Sequence, residues 1–98
     1  MGTSDLVSGL MALLDSGDEE SARALLKNRD TSAIVDSGFH LGLAKVAEEL
    51  GEASRAATEY NYSLRDDPKN VDAMLGLARL RADMGQVDKA LTSPPYPG

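Results

Sequence analysis

The sequence predicts an all-α fold of repeated helix-turn-helix units, two full hairpins and a truncated third. Gly17, Gly51 and Gly85 recur every 34 residues, and Ala22, Ala56 and Ala90 recur at the same interval. Two small-residue positions held in one register over three copies mark an internal repeat, which is read before any local feature. Apolar residues fall at helical spacing almost throughout, and no run alternates apolar with polar residues as a half-buried strand would.

Each element follows from its own residues. Leu6, Leu10, Leu13 and Leu14 form one stripe of a helix from about Ser4 to Ser16, closed by Gly17. Asp18 is placed to cap a second helix, whose acidic start suits the positive end of its dipole and whose Ala22, Leu25 and Leu26 point inward. Residues 30–36 read as a connection, with Asp36 or Ser37 opening the third helix. Leu43, Val46, Ala47 and Leu50 make its stripe, ended by Gly51. Ala53, Ala56, Ala57, Tyr60 and Leu64 make the fourth, which stops at the breaker segment around Pro68. Asn70 can cap a fifth helix carrying Ala73, Leu77, Leu80 and Met84. Gly85 is expected to turn the chain once more, into a sixth helix of two turns at most before Pro94 and Pro95.

Composition narrows the function. Ten basic against sixteen acidic residues give a net charge of −6, the wrong sign for a phosphate-backbone binder, so no nucleic-acid partner is expected. Cysteine is absent, which removes disulfides, thiolate metal ligands and thiol catalysis. No metal or other cofactor is expected, because neither a calcium-loop spacing nor a phosphate-cradling glycine loop occurs. The first residues lack a charged leader followed by an apolar run, and the apolar runs are too short to span a bilayer. A soluble cytoplasmic protein without a membrane partner is the expectation. His40, the one histidine, falls at a core-facing position and reads as a packed, hydrogen-bonded imidazole, so no catalytic residue is assigned. Asp66-Asp67 and Glu48-Glu49 read as solvated charge.

The 34-residue hairpin resembles the tetratricopeptide repeat family, whose units carry a large residue, a Leu-small pair, an inter-helix turn, a small contact, an aromatic and a closing proline. The second copy supplies His40, Leu43-Ala44, Gly51, Ala56, Tyr60 and Pro68 at those positions, with Ala47 where a first-helix aromatic would stand. The third supplies Met74, Leu77-Ala78, Gly85 and Ala90 but has Arg81 for that aromatic. The first diverges most: Leu10 replaces the small contact, which should spread that hairpin, and Ile34 replaces the proline. The resemblance implies one domain over 3–92, with units of about 3–36, 37–70 and 71–92 and a Pro-rich tail or linker over 93–98.

What the resemblance implies about function is a concave groove lined by the first helix of each unit. Its residues would be Val7, Met11 and Asp15, then Leu41, Lys45, Glu48 and Glu49, then Leu75, Arg79 and Asp83. Val7, Met11, Leu41 and Leu75 give an apolar floor, with Lys45 and Arg79 as a basic centre suited to a peptide bearing an acidic group. The alternative is that both cations pair along their own helices with Glu48, Glu49 and Asp83. The family's carboxylate clamp is not supported, since Val7, Met11, Gly42 and Gly76 stand where polar clamp residues would be needed.

The expectation is therefore a non-enzymatic scaffold binding a partner protein or peptide. A regulatory or docking segment of a larger enzyme is the second reading. The third is a homo-oligomer formed through Leu77, Leu80, Met84 and Leu91, which a truncated last unit would leave partly uncovered.

Overall fold

The computed structural model describes residues 3–92, and the side chains within 5–84. Five α-helices and no strand occur among the described residues: α1 (Thr3–Asp15), α2 (Glu19–Lys27), α3 (Ser37–Glu49), α4 (Ala53–Asp66) and α5 (Val71–Thr92). The fold is all-α and repeats a helical hairpin.

The two expected glycine turns are the same structure built twice. Gly17 and Gly51 have φ of 81° and 77°, a left-handed conformation that costs a residue with a Cβ about 1–2 kcal/mol. In the first, Gly17 N–H donates to Leu14 O at 3.0 Å and Asp18 N–H to Leu13 O at 2.8 Å. In the second, Gly51 N–H donates to Glu48 O at 3.0 Å and Glu52 N–H to Ala47 O at 2.8 Å. This paired closure satisfies the last carbonyls of each first helix and reverses the chain into the second. The expected caps form as well: Asp18, Asp36 and Asn70 accept from the N–H of Ser21, Phe39 and Ala73, each at 3.1 Å.

Gly85 behaves differently from its two counterparts. No turn and no sixth helix form there, because α5 runs unbroken from Val71 to Thr92. Gly17 and Gly51 are followed by Asp18 and Glu52, which favour the positive end of a new helix, whereas Gly85 is followed by Gln86 and Val87. Only a few residues then precede Pro94, too few to bury a face that would offset the cost of turning. A glycine left inside a helix costs about 1 kcal/mol, the cheaper outcome.

The core joins all five helices. α3 packs most extensively on α4, α4 then carries α5, and α1 packs on both α2 and α3. Ala44 and Ala56, the small contacts of the second hairpin, are fully buried, as is Leu10, which occupies the Ala44 position in the first hairpin. Close approach recurs between hairpins. A Cβ placed on Gly42 would meet Val7 Cγ1 at 3.1 Å, so α1 lies against the backbone of α3 there. The Tyr60 ring lies on α5 at Gly76, where a Cβ would fall 2.4 Å from the ring. Leu77 and Leu80 are 6% and 7% exposed, part of this core rather than a partly uncovered face. They belong to the buried cluster that also contains Ala56 and Tyr60 of α4. Met84 stays partly exposed, while Leu91 and the tail over 93–98 lie outside the described side chains.

Glycine substitution separates the turns from the helix. Gly51→Ala should destabilise by about 1–2 kcal/mol, whereas Gly85→Ala should stabilise by roughly 1 kcal/mol in urea unfolding. A loss at Gly85 comparable with that at Gly51 would restore the third turn.

Candidate functional site

One side of the molecule is formed by α1, α3 and α5. Met11, Leu14, Asp15, Lys45, Val46 and Glu49 line a recess of ≈ 180 Å³ between α1 and α3. Lys45, Glu48, Glu49 and Arg79 line a shallower one of ≈ 330 Å³ between α3 and α5. Lys45 and Glu49 belong to both, so the recesses form one continuous trough across three first helices. Of the apolar floor expected from sequence, Met11 and Leu75 are open to solvent at 50% and 63% exposure. Leu41 and Val7 are half-buried and pack against the core, Val7 on Gly42.

The charges of the trough are not arranged as a basic centre. Arg79 Nη2 donates to both oxygens of Glu48, at 2.9 and 3.1 Å, across the gap between α5 and α3. The pair is therefore between helices rather than along one, and it offsets the Arg79 charge. Glu48 also accepts the Tyr60 hydroxyl, which makes it the meeting point of α3, α4 and α5 rather than solvated charge. Among the described residues Lys45, Asp15, Glu49 and Asp83 make no ion pair. Burial, and then the Glu48 carboxylate, push the Tyr60 phenol up to about 12.

His40 is fully buried, and both its ring nitrogens are engaged: Nδ1 with Glu59 Oε1 at 2.6 Å and Nε2 donating to Ile34 O at 2.7 Å. An imidazole so held is not available as a base or ligand. Glu59 is equally buried, and its Oε2 accepts from Thr31 Oγ1 at 2.6 Å and Arg55 Nε at 3.0 Å. Beside it, Arg65 donates to Ser32 O and Ile34 O at 2.7 and 2.8 Å, and Asp66 accepts the Asp36 N–H at 3.0 Å. The Arg65 guanidinium, aided by that N–H and by His40, holds the Asp66 carboxyl below the usual carboxylate range. Sequence reasoning missed Glu59, Arg55 and Asp66 in this role. A signal existed, since His40 and Glu59 are polar where the first unit has Leu6 and Leu25.

The opposite side, formed by α2 and α4, carries a recess of ≈ 410 Å³ lined by Arg23, Ala24, Leu26, Lys27, Glu52 and Arg55. Its two guanidinium groups reach helix ends, Arg23 donating to Leu50 O at 2.7 Å and Arg55 Nη1 to Leu26 O at 3.3 Å, while Arg55 Nη2 is buried without a hydrogen-bond partner among the described residues. Among the described residues no group of three or more His, Asp or Glu side chains could hold a metal ion, and no helix is long and apolar enough to cross a membrane.

A tetratricopeptide repeat family model matches residues 49–92, from the Gly51 turn through α5. That stretch carries a tetratricopeptide repeat. The chain is 41% identical over 64 residues to cellulose synthase operon protein C of Salmonella typhimurium, a match covering 65% of the chain. It spans only 5% of that relative's length. No solved structure matches it significantly. A tetratricopeptide repeat implies a protein-interaction module, and the structure has two recessed surfaces, the α1/α3/α5 trough and the α2/α4 recess.

The Tyr60 contact gives a pH dependence of known sign. The unfolded phenol releases its proton near pH 10 and the folded one near 12, so stability is intact below pH 10 and falls across that window. Alkaline unfolding should show this fall, on the order of 1–3 kcal/mol, and Tyr60→Phe should abolish it. An unchanged alkaline slope in Tyr60→Phe would remove Tyr60 as its source.

Proposed function

We propose that this module binds a peptide segment of a partner protein in the α1/α3/α5 trough. The observation that carries the proposal is continuity. Lys45 and Glu49 line both recesses, so a ligand lying across the helices meets one surface without a break. Solvent-open Met11 lines the α1/α3 recess, and solvent-open Leu75 lies one helical turn before Arg79 on α5, so both would anchor apolar side chains. The α2/α4 recess lies between two second helices and does not cross successive repeats as the trough does. Nothing in this reading calls for chemistry within the chain.

The relative's name favours a second, compatible reading, in which the module docks components of a cellulose-synthesis assembly. Its contribution would be to hold proteins together.

Peptides selected from a random library on the folded chain test the trough directly. Amide shifts on binding should centre on α1, α3 and α5. Met11→Ser with Leu75→Ser, both solvent-open, should weaken binding about tenfold, equivalent to about 1.4 kcal/mol, while Arg23→Ala leaves it unchanged. Shifts centred on Arg23, Lys27 and Arg55 would move the site to the other side.

A further inference from the structure

Three repeat positions of the trough can be compared row by row. Val7, Leu41 and Leu75 form an apolar row, Met11, Lys45 and Arg79 a mixed row, and Asp15, Glu49 and Asp83 an acidic row, each spaced by 34 residues. The structure changes the balance between the last two. Arg79 is paired with Glu48, whereas none of the three carboxylates of the acidic row has an ion-pair partner among the described residues. Lys45 alone opposes them.

Asp15 and Glu49 also share one recess with Met11, Leu14, Val46 and the single cation Lys45, so two carboxylates there face one positive charge. A carboxylate pair beside an apolar wall fits a long cationic side chain, whose methylenes cover the wall while its head meets the carboxylates.

Building on the trough reading, we infer that the bound segment is a basic, extended peptide whose lysine or arginine side chains follow the acidic row. Neighbouring helices in such a stack lie about 9 Å apart, and an extended chain in the polyproline II conformation advances about 3.1 Å per residue with three residues per turn, which keeps every third side chain on one face. One cation at every third residue therefore matches one carboxylate per repeat. This reverses the acidic ligand expected from the sequence, and the reason is the Glu48–Arg79 pair.

Fluorescence anisotropy with the full chain tests the inference using three acetylated synthetic peptides. One has lysine at every third position, one has glutamate there, and one has the same lysines placed consecutively. The first should bind about tenfold more tightly than either of the others. Asp15→Asn/Glu49→Gln/Asp83→Asn should abolish that advantage, while Glu19→Gln/Glu20→Gln/Glu52→Gln, an equal change in net charge on the α2/α4 side, should leave it. Lys45→Met, which installs the residue α1 has at that row, should tighten binding. Equal or tighter binding of the glutamate peptide, equal effects of the two triple variants, or no binding by any peptide would overturn the inference. Library-selected peptides that occupy the trough but are acidic would overturn it while leaving the trough reading intact. Peptides that map to α2 and α4 would overturn both.

Discussion

The buried carboxylate of Glu59 is the constraint on which the arrangement of the hairpins depends. Removing a carboxylate from water costs several kcal/mol, and the cost is offset only if its hydrogen-bonding capacity is filled. Here the partners come from three segments: Thr31 from the connection between hairpins, His40 from α3, and Arg55 from α4. His40 passes the tie onward to Ile34 O, and Arg65 and Asp66 fix the same connection through Ser32, Ile34 and Asp36. A connection with no regular structure of its own is thereby fastened to α4 at both ends.

That fastening positions the trough. With residues 31–36 held, α1 can settle against Gly42 of α3, and the α1/α3 recess acquires its walls from two hairpins. On the other flank the join is made differently. Tyr60 lies on the bare backbone at Gly76, and its hydroxyl and Arg79 both meet Glu48. One side of α3 is thus held through a loop and the other through a ring and an ion pair. The resulting surface places Asp15 and Glu49, which make no ion pair among the described residues, in one recess and neutralises Arg79.

Local features were legible in the sequence because local chemistry decides them. The glycine turns at 17 and 51 and the caps Asp18, Asp36 and Asn70 each depend on a few neighbouring residues, and each forms as read. The continuation of α5 through Gly85 was not legible from the period alone, because a repeated glycine permits a turn without requiring one. Charge pairing was less legible still. Glu48 and Arg79 are 31 residues apart, and Glu59 reaches Thr31 across 28, distances at which helix-face reasoning has no purchase. The polar pair at His40 and Glu59, set where the first unit has leucines, was the one visible trace of the buried network.

Amide hydrogen exchange in Glu59→Leu tests this dependence most directly, since leucine is what the first unit carries at that position. The substitution leaves His40, Thr31 and Arg55 without their shared acceptor and should cost about 3–5 kcal/mol. Protection at Ile34, whose N–H donates to Thr31 O at 3.0 Å, should be lost, while Glu52, bonded within its own turn, retains protection up to the reduced global stability. Unchanged stability with unchanged protection at Ile34 would contradict the account, because the connection between the hairpins would then be held without Glu59.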